Sequence, residues 1–250
     1  MSAAITFDFH NTLVRCDPWF ELEIRDLPGQ VLEQLERHHL VQPGMVLRSA
    51  LEAEYRALRQ EITGHGVEHD AIKGTCESFR RAGFPIDTVD IQGIVDALFR
   101  TLVESSELVE GVADTVSFLA SHGVSLAVIS SAVHHGFLEW ALDHHHIRMY
   151  FSAVNTSASS GFYKSRPEIY TQSLKRIGAR PEHTVHVGDS YRFDHLAGHA
   201  AGLHTVWLNE SGSKRPKDGV PPRIELDTLK GAGPILLDLM HSVAGINRAD

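Results

Sequence analysis

The sequence predicts an α/β fold: a parallel sheet covered by helices on both faces, with an α-helical domain inserted close behind the first strand. Three observations carry that expectation. Strand-like and helix-like segments alternate from about Glu107 onward, and such alternation requires parallel strands joined by helical crossovers. Residues 20–106 hold amphipathic helical patterns and no convincing strand. One short apolar segment, Ile5-Thr6-Phe7-Asp8-Phe9, precedes that block, so the block interrupts a sheet already begun. The expected division is residues 1–15 and 107–250 for a Rossmann-like core and residues 16–106 for a helical cap.

Residues 5–9 are apolar, β-branched and aromatic, which suits a buried strand. A helix is expected over 28–40, with Val31, Leu32, Leu35 and Leu40 on its inner side. Residues 44–63 place Leu47, Leu51, Tyr55, Leu58 and Ile62 three or four apart, an amphipathic stripe. Helices over 70–82 and 87–103 follow, parted by the breakers Gly83 and Pro85. Helices of this kind pack as a small bundle. In the second half the reading is helix 112–122, strand 124–129, helix 136–143 and strand 150–155. Ser165-Arg166-Pro167-Glu168 has the pattern of a capping box with proline in the first turn, opening a helix to about Ile177. Strand 184–187, helix 194–201 and strand 205–208 come next. A loop rich in Gly, Ser, Lys and Pro, 211–222, leads to a short strand, 224–226, and a last helix, 234–243.

Composition narrows the partners. Hydrophobic content of 42% and charged content of 22% belong to an ordinary globular protein. Lys and Arg number 23 against 32 Asp and Glu, a net charge of −9, which argues against nucleic acid and anionic membrane as partners. No apolar run approaches the roughly 20 residues needed to span a bilayer. The first strand already starts near Ala4 and carries Asp8, so no leader peptide is expected. Cys16 and Cys76 lack CxxC spacing and suggest neither a zinc site nor a disulfide framework, so a cytoplasmic location is the expectation.

Four short segments carry chemistry, each at or just past an expected strand end: Asp8-Phe9-His10-Asn11-Thr12, Ser130-Ser131, Lys164, and Gly188-Asp189-Ser190 with Asp194. Ligands of open parallel sheets bind beyond the carboxyl ends of the strands. Together the segments supply a carboxylate nucleophile, hydroxyl donors, one ammonium and a second acidic cluster. That set suits phosphoryl transfer through an aspartyl-phosphate, with a divalent metal between the carboxylates and the phosphate. Any one segment alone is weak: DxxxT and GDS arise often by chance, and Ser130 also reads as a helix N-cap. Four in order are the specific signal.

These segments resemble the motifs of the haloacid dehalogenase-like hydrolase superfamily, in its phosphatase-like branch with a helical cap between motifs one and two. The stretch from Gly161 to Tyr170 is close to the family's surroundings of its lysine, and Asp194 is followed by the small residues Gly198, Ala200, Ala201 and Gly202. The resemblance implies Asp8 as nucleophile and Mg2+ ligand, and Ser130 with the Ser131 amide as donors to the phosphoryl oxygens. Lys164 is then the cation offsetting negative charge, Asp189 a metal ligand, and Asp194 a ligand through water or an orienter of Lys164. One position departs. Phosphatases of the family carry aspartate two residues after the nucleophile as the acid/base group, and this chain has His10 there. Its backbone carbonyl still serves the metal in that scheme. An imidazole with an ordinary pKa of ~6.5 lies in the range where acid/base catalysis works.

The expectation is a Mg2+-dependent phosphatase for a small phosphorylated metabolite. Two alternatives stay open: a dehalogenase- or phosphonatase-type hydrolase on the same fold, and a phosphate-binding regulatory protein with little turnover because of His10. Dehalogenases of the family generally lack the Gly-Asp pair present at Gly188-Asp189. A phosphonatase requires a cap lysine, and Lys73 has a setting unlike that motif. The 17 histidines read mainly as surface and loop residues. His195 and His199 have the i,i+4 spacing that can bind a transition metal, and His134 and His135 follow Ser130 closely enough to reach a substrate. Trp19 and Phe20 belong to the mouth of the site or to ordinary hinge packing.

Overall fold

The computed structural model describes residues 2–86 and 89–245. Its strands are β1 (Ser2–Phe7), β2 (Val14–Arg15), β3 (Glu107–Leu108), β4 (Ser125–Ser130), β5 (Ala153–Thr156), β6 (Ala179–Gly188), β7 (His204–Leu208) and β8 (Ile224–Leu226). Among the described residues, six of them form one parallel sheet in the order β5-β4-β1-β6-β7-β8. The remaining two pair antiparallel, Val14 opposite Leu108 and Arg15 opposite Glu107. The chain therefore leaves and re-enters the sheet region through neighbouring strands.

Between β2 and β3 lie α1 (Asp17–Glu21), α2 (Leu27–Arg37), α3 (Arg48–His65), α4 (Ala71–Arg81) and α5 (Gln92–Thr101), with a π-helical turn, Leu22–Asp26, joining the first two. The apolar stripe of α3 does what its spacing predicts: Leu51, Tyr55, Leu58 and Ile62 are buried, and α3 packs on α2 and α4. Burying a side chain of this size stabilises by about 1.5–3 kcal/mol, so four in register fix this helix firmly. After β3 come α6 (Val112–Ser121), α7 (His135–His144), α8 (Ser157–Ser160), α9 (Pro167–Ile177), α10 (Ala197–Ala200) and α11 (Ala232–Ala244).

Strand alternation separates two cores. Ile5 and Phe7 join Leu126, Val128, Val185 and Val187 in the larger one, on the face where α6 and α11 pack. Ala4 joins Ile129, Ile169, Tyr170 and Leu174 in the smaller one, against α9. Both faces of the sheet are thereby covered. No helix among the described residues is long and apolar enough to cross a membrane.

Several element edges differ from the sequence reading. The helix expected over 28–40 stops at Arg37, which leaves Leu40 outside it and 55% exposed. The next begins only at Arg48, so Leu47 is its N-cap, 71% exposed, and not part of the buried stripe. The helix expected over 87–103 runs Gln92–Thr101, and residues 87 and 88 lie outside the described residues. The Ser165 capping box does not form. Arg166 is the N-cap of α9, with Pro167 in the first turn as expected, and Glu168 bonds Arg166 instead of reaching back. A capping box does occur at α8, between Thr156 and Ser159.

Candidate active site

Asp8 is the first residue beyond β1, and its N–H still bonds Val187 O at 2.8 Å, so the carboxylate starts from the strand ladder itself. The chain then turns tightly, with the N–H groups of Leu13 and Val14 converging on Phe9 O at 2.8 and 3.0 Å. Ser130 ends β4. Lys164 comes from the loop between α8 and α9, where its N–H donates to Ser131 Oγ at 3.0 Å. Gly188 ends β6, and Asp189 and Ser190 follow. Ser190 Oγ accepts the Phe193 N–H at 3.1 Å and caps a π-helical turn, Tyr191–Leu196, that contains Asp194. Turns of this kind often occur at functional sites. Gly188 permits the close return of Asp194, because a Cβ there would lie 2.3 Å from Asp194 Cγ.

All seven candidate residues, Asp8, His10, Ser130, Ser131, Lys164, Asp189 and Asp194, line one cleft of about 240 Å³ at the carboxyl edge of the sheet. Lys164 Nζ donates to Asp8 Oδ1 and to Asp194 Oδ1, the latter at 2.5 Å. Asp194 is further engaged by His186 Nε2 at 3.2 Å and by the Ser190 N–H at 2.9 Å.

The carboxylates titrate in opposite directions. Burial raises the pKa of Asp8, with the neighbouring Lys164 offsetting part of that rise. Burial, and then the charges of Asp8 and Asp194, raise that of Asp189. Burial acts the same way on Asp194, but Lys164 and His186 outweigh it and hold this carboxyl below the usual range. Lys164 is held above the ordinary lysine range, because Asp194 and Asp8 overcome the effect of its burial. Asp194 and Lys164 therefore form the settled ion pair, and Asp8 and Asp189 are the groups short of positive charge.

One ligand oxygen each of Asp8, Asp189 and Asp194 falls within 4.8 Å of the other two. With all three ionised, the carboxylates would carry two more negative charges than Lys164 offsets, in keeping with the raised pKa values of Asp8 and Asp189. An all-oxygen donor set with that charge fits a small hard dication such as Mg2+.

His10 lies between aromatic rings. It stacks on Phe20 at 4.9 Å and 11° and meets Trp19 edge-on at 5.2 Å. Its Nε2 is buried and has no hydrogen-bond partner. Burial lowers its pKa to about 4, opposed only by Asp17, so the ring is neutral near pH 7. Trp19 and Phe20 both line the cleft.

The other histidines fall elsewhere. His195 has both ring nitrogens engaged, with Thr205 Oγ1 at 2.5 Å and Val220 O at 2.8 Å, which removes the i,i+4 metal pair with His199. His134 bonds Asp96 at 2.8 Å and caps α7 through the Phe137 N–H, and neither it nor His135 lines the cleft. Lys73 pairs with Asp70 at the exposed start of α4. Sequence reasoning missed His186, which is fully buried between Thr6 Oγ1 at 2.9 Å and Asp194. Its one signal is a histidine set between Val185 and Val187 in a buried stretch of strand.

Known proteins resemble this chain along most of its length. A family model described as haloacid dehalogenase-like hydrolase matches residues 3–202. The chain is 25% identical over 248 residues to haloacid dehalogenase-like hydrolase domain-containing protein 3 of Mus musculus, covering 95% of this chain and 94% of that one. It is 32% identical over 110 residues to glyceraldehyde 3-phosphate phosphatase of Methanothermobacter thermautotrophicus, 42% of this chain and 46% of the relative. Among solved structures, the putative hydrolase YfnB of Bacillus subtilis bound to magnesium shares the fold, with TM-score 0.59 and 20% identity over 94% of this chain and 98% of that one.

Proposed function

The chain belongs to the haloacid dehalogenase-like hydrolase family, and on that premise we propose that it is a magnesium-dependent phosphatase acting on a small phosphorylated metabolite through an aspartyl-phosphate on Asp8. The observation that carries this reading is the convergence of Asp8, Lys164, Asp189 and Asp194 in one buried cleft. The partial relative named as a phosphatase and the magnesium bound by the Bacillus subtilis protein support it. In this reading residues 16–106 are a cap that closes over the cleft and selects the substrate, in a cytoplasmic enzyme without nucleic-acid or membrane partners.

The Ser130 hydroxyl and the Ser131 N–H donate to the phosphoryl oxygens, and Lys164 offsets their charge. Asp8 attacks phosphorus in line. An Asp8 O–P bond forms as the bond from phosphorus to the leaving oxygen breaks, and that oxygen takes up a proton from solvent water. Water then attacks the same phosphorus, the Asp8 O–P bond breaks, and inorganic phosphate departs with the carboxylate restored. Burial keeps His10 neutral and, by lowering its pKa, makes it a weak base, so its part in this scheme is limited to taking the proton of the attacking water. Mg2+ held by Asp8, Asp189, Asp194 and the carbonyl of His10 would offset the negative charge gathered around the phosphate.

The test is turnover of an aryl phosphate with Mg2+ by the wild-type protein and by Asp8→Asn. Activity in the first and none in the second is expected, and equal rates in both overturn the reading. The buried, neutral His10 favours one second reading, a phosphate-binding protein with little turnover. Measurable phosphate binding by a wild-type protein that hydrolyses nothing identifies that case.

A further inference from the structure

The connection between α3 and α4 pairs with the loop that carries Lys164. Tyr163 N–H donates to Gly66 O at 2.9 Å, Glu68 N–H donates to Gly161 O at 2.9 Å, and Val67 forms an antiparallel bridge with Phe162. A few residues on, Ala71 N–H donates to Val133 O at 2.8 Å. The helical block thereby grips the loops behind both Lys164 and Ser131. Gly66 makes the approach possible. It has φ +77°, and a Cβ there would fall 2.2 Å from Arg166 Cγ.

Glu68 sits at the centre of this contact, 7% exposed. Its Oε1 accepts Arg59 Nη1 of α3 at 2.5 Å and the His69 N–H at 2.9 Å. Its Oε2 accepts the Ser157 hydroxyl at 2.7 Å, a hydroxyl that also has Ala132 O at 3.1 Å. Ser157 opens α8, which ends at Ser160, is capped by Gly161 and runs into the lysine loop. Arg59 in turn lies 5.9 Å from the ring centroid of Tyr163, the residue before Lys164. One buried carboxylate thus touches the helical block on one side and the approach to Lys164 on the other.

We propose that Glu68 is a positioning residue for hydrolysis: by clamping Arg59 to Ser157 it fixes residues 161–164 and hence the place of Lys164 Nζ between Asp8 and Asp194. Its kinetic consequence rests on the phosphatase reading, whereas its geometric consequence does not. A catalytic group displaced by about 1 Å loses up to about a hundredfold in rate. An ammonium aimed at charge that develops during transfer affects kcat more than KM.

Two variants test this. Ser157→Ala removes the hydroxyl that ties Glu68 to the sheet side, and Glu68→Gln removes the charge that holds Arg59 while keeping the size. Turnover of an aryl phosphate should fall on the order of tenfold to a hundredfold in kcat, with KM little changed. A second readout needs no activity: acetylation of Lys164 relative to the exposed Lys230, read by mass spectrometry. Lys164 is 3% exposed and engaged by two carboxylates, so labelling should be slow in the wild type and faster in both variants. Leu236→Ala, a core change in α11, controls for general loosening and should leave Lys164 labelling as in the wild type. Faster labelling in the two variants of a protein without phosphatase activity sustains the positioning role and removes the functional reading. Wild-type labelling in both variants, or equal acceleration by Leu236→Ala, overturns the proposal.

Discussion

Lys164 Nζ stands 2.5 Å from Asp194 Oδ1 and also bonds Asp8, so a single ammonium ties the end of β1 to the turn behind β6. The pair is buried on both sides. Removing one member of a buried pair leaves its partner uncompensated and is strongly destabilising. The site is therefore held together by the same charges that the proposed chemistry uses.

Mg2+ should stabilise the fold through the remaining acids. A ligand at a hundredfold excess over its Kd adds about 2.7 kcal/mol to stability. Thermal melts should therefore move upward with added Mg2+ in the wild type, and Asp189→Asn should abolish that movement. Chelator should remove phosphatase activity and Mg2+ should restore it. An unchanged melt at saturating Mg2+ contradicts the assignment of this cluster.

His10→Asp should preserve or raise the phosphatase rate. General acid/base assistance is worth roughly 10²–10⁴-fold, and that range bounds the gain. Complete loss of activity in this variant means that the imidazole has a task an aspartate cannot perform.

Gly188→Ala should fold but turn over slowly. The added Cβ would sit 2.3 Å from Asp194 Cγ, so Asp194 must move and Lys164 with it. A displacement of about 1 Å reduces the rate by up to about a hundredfold. Steady-state kinetics alongside circular dichroism separate this effect from unfolding, and wild-type kcat in a folded variant contradicts it.

Glu23 should make stability fall as pH rises. It is buried in the turn between α1 and α2, and burial raises its pKa from 4.5 to about 8, with Arg59 opposing and Glu68 adding to the rise. The fold therefore keeps a proton that the unfolded chain releases between those values, and stability is lost progressively as pH climbs through that window. The slope reaches at most about 1.4 kcal/mol per pH unit. Asp8 and Asp189 share this sign, so the comparison is between the wild type and Glu23→Gln. Denaturant titrations across the window should show a flatter dependence in the variant. Identical slopes contradict the assignment.

The sheet was legible because alternating apolar strands and helices leave little other choice, and the convergence of the candidate residues in one cleft was legible because their motifs fall at strand ends. What escaped the sequence depended on contacts far apart in the chain. Leu40 and Leu47 follow a helical period yet lie beyond the ends of their helices, where periodicity no longer determines burial. Ser165 has the composition of a cap, but its neighbour Arg166 takes both the N-cap position and the Glu168 carboxylate. His186 looks like any residue of a buried strand until Asp194 arrives beside it. The Glu68–Ser157 bond spans 89 positions, and no local pattern announces it.

The most direct test is a crystal structure of the protein with Mg2+ and beryllofluoride. The account predicts the fluoride complex bonded to an Oδ atom of Asp8, with Mg2+ beside it in contact with Asp189. Clear density for an unmodified Asp8, under saturating beryllofluoride and Mg2+, would contradict the aspartyl-phosphate route.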